Sequence, residues 1–112
     1  MSIIKTVTVG ELEENCYLVQ VNSGGRLFII DPGAEPERIL SAVNVFDAPE
    51  KVILFTHGHF DHIGAAGELV RKLGIKDCYL NSRDRELFYS RDNAWPPYIP
   101  PAENLPEVNG TI

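Results

Sequence analysis

Residues 51–62 read KVILFTHGHFDH, and this stretch restricts the fold more than any other in the chain. The run from Lys51 to Phe55 is short and almost wholly apolar, the pattern of a strand buried on both faces. It leads directly into a loop that holds all three histidines of the protein, His57, His59 and His62, with Asp61 among them. Such a strand needs neighbours in a sheet, which places the histidine loop at the carboxyl end of an interior strand. Beyond it, Ile63, Ala66, Leu69, Val70 and Leu73 return to helical spacing, and Gly74 suits a left-handed stop. The unit is therefore strand, ligand-rich loop, helix.

The flanking segments extend this pattern. Ile3 to Val9, Asn15 to Val21 and Arg26 to Asp31 are β-rich, and the last two are separated by the turn residues NSGG, as in an antiparallel meander. From Pro36 to Phe46, Ile39, Leu40, Val43 and Phe46 recur at intervals of three and four, with Pro36 suited to a first turn, which predicts an amphipathic helix. Lys76 to Leu80 is a further strand candidate, and Ser82 a candidate N-cap for a short helix ending near Tyr89. Strands followed by alternating helix and strand predict an α/β fold with a mixed β-sheet and flanking helices. A chain of 112 residues, 44% hydrophobic, suits a single core. After Ser90 the character changes: residues 91–106 contain five prolines, together with Trp95 and Tyr98. This Pro-rich segment, 91–112, reads as an ordered loop or tail, or as a loop whose aromatics border a cleft.

Charge narrows the partners. Ten basic residues, scattered along the chain, stand against 16 acidic ones, for a net charge of -6. Such a surface repels a phosphate backbone and argues against nucleic acid. No apolar run approaches the roughly 18 residues of a membrane span, and the first residues lack a signal-peptide apolar core, so the expectation is a cytoplasmic protein without a membrane partner. Cys16 and Cys78 lie in strand-like segments without CxxC spacing and are expected to be reduced, buried thiols.

Four potential ligands within six residues point to metal chemistry. A loop turned by Gly58 can direct His57 and His59 to one ion, while Asp61 and His62, at the start of the next helix, could serve a second ion beside it. Imidazole and carboxylate suit zinc, iron and manganese, and paired ions about 3.5–4 Å apart can hold a bridging hydroxide near neutral pH. Acid–base work by a histidine–aspartate pair without metal is the alternative, and it leaves three histidines without a reason.

THGHFDHIGAA resembles the H-x-H-x-D-H signature of the metallo-β-lactamase superfamily. LFIIDPG, which includes Asp31, and ENCYLV, from Glu14 to Val19, are similar to the preceding strands of its glyoxalase II-like hydrolases. The resemblance covers residues 1–90. It implies the first half of an αββα sandwich, with His57 and His59 on the first metal, Asp61 and His62 on the second, and Asp31 and Thr56 behind the ligands, orienting them. Asp61 is also implied in catalysis, positioning the attacking hydroxide. The implied cofactor is zinc, as two ions in the complete fold, with iron or manganese as alternatives. The implied activity is hydrolysis of a small-molecule ester or thiolester.

The family pattern also calls for later histidines, a bridging aspartate and a second half. No histidine follows His62, so residues 1–112 are expected to supply only part of each metal shell. Half a sandwich also leaves an apolar sheet face in need of cover. Three expectations follow: an incomplete hydrolase whose second half lies elsewhere, a homodimer in which one half-domain completes another, or a non-catalytic, self-associating module that retains the motif. An iron-dependent oxidoreductase of the same superfamily is a further alternative.

Overall fold

The computed structural model describes residues 3–108 and 110. Five strands form one sheet in the order β1-β2-β3-β4-β5: Ile3–Val9, Glu14–Gln20, Leu27–Ile30, Lys51–Leu54 and Asp77–Tyr79. The first three are antiparallel neighbours and the last two add in parallel, so the sheet is mixed as expected. The switch follows from the connections. The hairpin turns permit antiparallel pairing, whereas α1 (Pro36–Val43) and α2 (Ala66–Leu73) carry the chain back for parallel addition. Both helices lie closer to expectation at one end than at the other. Helix α1 begins at Pro36 but stops at Val43, and Phe46 sits in the turn beyond it. Helix α2 begins at Ala66, because Phe60–His62 form a separate 3-10 turn, and it ends at Gly74 in the left-handed conformation.

Alternation sorts the sheet into two faces. On one, Cys16, Leu18, Leu27, Ile29, Ile53 and Cys78 are buried in the same core as Ile39 and Leu69 of the two helices. Burial drives both thiol pKa values up, that of Cys78 to about 11, which suits inert packing. On the other face, the cross-strand rows Ile4–Val19–Phe28 and Tyr17–Ile30–Leu54 are apolar but incompletely covered. Ile4 is 67% exposed and Tyr17 39%, while Phe28, Ile30 and Leu54 are half-buried.

The segment after β5 is ordered by side chains. A second 3-10 turn, Ser82–Asp84, runs into α3, Arg85–Tyr89. Its cap is Asn81, whose side chain accepts from Arg83 N, not Ser82 as the spacing predicts. The prolines then exclude regular structure, yet the segment packs: Tyr89 Oη donates to Pro106 O and accepts from Val108 N, and Gly110 bridges to Tyr79 beside β5. No helix among the described residues is long and apolar enough to cross a membrane.

Candidate metal centre

Every motif side chain emerges where β4 stops. Phe55 is buried at the strand end, Thr56 follows, and His57 to His62 wrap the carboxyl edge of the sheet before α2 begins. Pairing β3 beside β4 in parallel brings the end of β3 to the same edge, so Asp31 meets the motif although it lies 31 positions before His62. Asp31 sits in the left-handed region (φ 56°), which an aspartate tolerates better than most residues. That turn aims its buried carboxylate at the loop.

Asp31 gathers the loop's donors. Its Oδ1 accepts from Thr56 N at 2.7 Å, and its Oδ2 accepts from Thr56 Oγ1 and from His62 Nδ1, the latter at 2.9 Å. Because Thr56 Oγ1 gives its proton to Asp31, it can only accept from His57 Nδ1, 3.1 Å away. Both imidazoles thus direct Nδ1 toward the Asp31–Thr56 pair and turn Nε2 away from it. A carboxylate behind a histidine in this way sets its tautomer and raises its basicity as a ligand.

The potential ligand atoms fall into two groups, each within 4.8 Å: His57, His59 and Asp61 in one, and Glu14, Asp31 and His62 in the other. The groups touch, since His62 Nε2 is 3.5 Å from Asp61 Oδ2 and the His57 and His62 rings are 4.0 Å apart. His59 is exposed, while His57, Asp61 and His62 are half-buried. Two imidazoles and a carboxylate converging at a partly open edge fit a divalent ion such as zinc, iron or manganese.

Glu14 was not among the residues singled out as site candidates. It opens β2, its carboxylate is 3.5 Å from His62 Nδ1, and it is 7% exposed with both oxygens lacking hydrogen-bond partners. The signal was available: Glu14 shares the alternation of Cys16 and Leu18, which turns a carboxylate inward. Burial first, then Asp31 and Asp61, raise its pKa from 4.5 to about 8. The folded protein therefore holds this proton between pH 4.5 and 8 while the unfolded chain releases it, and stability falls as pH rises across that window. In metal-free protein the loss from pH 5 to 8 is expected to be on the order of 3 kcal/mol, and Glu14→Gln should largely abolish it. Denaturant titrations at the two pH values measure this; an unchanged slope in the variant would refute the assignment.

A groove of about 620 Å³ adjoins the centre, with Leu12, Ala34, Phe60, Asp61 and Tyr98 among its walls. Tyr98 therefore borders a cleft, as the aromatic pair suggested. Trp95 instead packs against the Tyr98 ring, 5.1 Å between centroids.

The mixed sheet gathers these candidate ligands at one carboxyl edge, and comparison with known proteins places the arrangement. Residues 9–111 match the family model of the metallo-beta-lactamase superfamily, a span that includes the Pro-rich segment. The chain belongs to that superfamily. It is 38% identical over 87 residues to the hydroxyacylglutathione hydrolase GloC of Haemophilus influenzae, a match covering 78% of this chain and 41% of that protein. An uncharacterised protein of Aquifex aeolicus is 42% identical over 93 residues, covering 83% and 42% respectively. Among solved structures, TTHA1623 in a di-iron-bound form superposes with a TM-score of 0.75 at 37% identity, covering 95% of this chain and 52% of that one. The chain thus spans about two fifths of the curated relatives and half of the solved chain.

Proposed function

We propose that this chain supplies the first half of a dinuclear metal centre in a hydrolase of glyoxalase II type, acting on a thiolester or related acyl bond. The observation that carries the reading is the Asp31–Thr56 arrangement, which holds His57 and His62 as Nε2 donors beside Asp61. Structural residues seldom need two imidazoles in the same tautomer aimed at one edge. In this reading His57 and His59 hold the first ion and Asp61 and His62 the second, with zinc as the cofactor. Iron is the nearest alternative, since the similar TTHA1623 is described in a di-iron-bound form.

When bound, the ions supply Lewis acidity and activate water at neutral pH. The chain's own residues do the rest. Asp61 Oδ2 stands beside His62 Nε2 and can accept a hydrogen bond from the attacking water or hydroxide, which orients it. Leu12, Phe60 and Tyr98 offer an apolar wall for the acyl group. The remaining ligands are assigned to a second half-domain, consistent with the fraction of its relatives that the chain spans.

The test is metal analysis of protein purified under metal-replete conditions, followed by a thiolester hydrolysis assay. Bound zinc, iron or manganese is expected in this chain, and hydrolysis, expected once the second half-domain is supplied, should fall at least a hundredfold in His59→Ala. Protein that emerges free of all three metals overturns the reading. A self-associating role without catalysis is the second reading, favoured by the incompletely covered sheet face that carries Ile4, Tyr17 and Val19. A metal-free dimer by light scattering would select it, whereas a metal-loaded dimer would favour a centre completed across two chains.

A further inference from the structure

The peptide between the two histidines of the first ligand pair is gripped from outside the motif. Gly58 N donates to Asp84 Oδ2 at 2.9 Å, and Gly58 O accepts from Asn93 Nδ2 at 2.7 Å. The partners come from 26 and 35 positions along the chain, one in the 3-10 turn before α3 and the other in the segment after it. Gly58 is buried, and a Cβ there would lie 3.0 Å from Asp84 O and 3.2 Å from Phe88 Cβ. The bracket is itself anchored: Phe88 is fully buried and meets the Phe55 ring edge-on at 4.9 Å. Segment 84–93 and the end of β4 therefore form one packed unit around the loop.

Asn93 is the informative member. It is 4% exposed, and its Oδ1 is buried without a hydrogen-bond partner. A carboxamide half-satisfied in this way costs about 1–3 kcal/mol relative to a paired one, so packing alone is a poor reason for it. Its Nδ2 instead fixes the orientation of the Gly58 carbonyl while Asp84 fixes the amide. With both ends of the Gly58 unit held, the φ and ψ angles that separate His57 from His59 have little freedom.

We propose that Asp84 and Asn93 are positioning residues that clamp the Gly58 peptide and thereby hold His57 and His59 at the separation needed to share one divalent ion. The proposal rests on the assignment of His57 and His59 as ligands, and it adds two residues that no motif contains. Neither touches the ion or the substrate. Their effect passes through backbone geometry, since a ligand pair held in place before binding loses less conformational freedom when the ion arrives.

The experiment uses the intact protein, zinc with a competing chelator, and long-range 1H–15N spectra of the imidazoles in the metal-free state. Asp84→Ala and Asn93→Ala are each expected to weaken zinc binding about tenfold, the lower end of what orienting groups around a metal contribute. Each should also move the His57 and His59 imidazole signals while leaving those of His62 in place. Asp84→Asn keeps an acceptor for Gly58 N and should remain within about twofold of the parent. Alanine variants that bind zinc like the parent overturn the proposal. So do variants that melt earlier yet leave the His57 and His59 signals unmoved, the mark of a purely structural role. An Asp84→Asn variant as weak as Asp84→Ala also overturns it, because charge and not the hydrogen bond would then be responsible. If Asp84→Ala fails to fold, Asn93→Ala and Asp84→Asn carry the test. A parent that binds no zinc sinks the metal assignment, and the imidazole spectra still decide whether the clamp positions the histidines.

Discussion

Replacing Asp31 with alanine is expected to cost roughly 3–5 kcal/mol of stability and to weaken metal binding a hundredfold or more. The single carboxylate satisfies Thr56 N, Thr56 Oγ1 and His62 Nδ1, so its removal leaves three donors without their acceptor. It also frees both imidazoles to change tautomer, because His57 depends on Asp31 through Thr56. Asp31→Asn separates the two effects. Asparagine tolerates the left-handed backbone and can still accept from Thr56 N through Oδ1. Its Nδ2 then faces His62 Nδ1 and turns that nitrogen into an acceptor, which moves the ring proton to Nε2. The amide variant should therefore melt closer to the parent than alanine does, yet still lose metal at His62. Thermal melts beside chelator competition check this, and an Asp31→Asn protein that binds metal like the parent would refute the tautomer argument.

The second large effect is expected at Gly33, in the turn that follows Asp31. A Cβ there would lie 2.0 Å from Asp61 O and 2.6 Å from Glu14 Oε2, distances no side-chain shift alone can relieve because the first contact is backbone. Gly33→Ala should destabilise by about 3 kcal/mol or more, a fall in Tm of at least about 10 °C for a domain of this size. Since the atom displaced belongs to Asp61, affinity for metal should fall with stability. A melting point within about 2 °C of the parent would mean that the turn and the motif loop do not approach so closely. Gly64 repeats the contact from the other side, where a Cβ would lie 2.3 Å from Gly33 O, and Ala65 N donates to Pro32 O at 2.9 Å. The turn at residues 31–33 and the start of α2 are thus interlocked through backbone.

Much of this framework can be read from the chain by local physics. The strand Lys51–Leu54, the loop with its histidines and the stop at Gly74 follow from apolar runs, periodicity and glycine, all properties of neighbouring residues. Helix ends were less legible. Phe60–His62 close a separate 3-10 turn before α2, and Asn81 outcompetes Ser82 as a cap, because such choices depend on which side chain reaches an amide once the backbone is placed. The reach of Asp31 to the loop could be expected only from the resemblance, since nothing local joins residue 31 to residue 62.

By itself the sequence determined which candidate ligand side chains are present, their crowding into residues 57–62 and their place after a buried strand, since spacing and polarity are written along the chain. Only the tertiary structure decided the company these side chains keep. Parallel pairing of β3 with β4 delivered Asp31, the opening of β2 delivered Glu14, and the return of segment 84–93 delivered Asp84 and Asn93. The physical reason is that a hydrogen bond requires its two atoms within about 3 Å, and contacts between residues 26 to 35 positions apart are set by sheet order and packing, which no local pattern encodes.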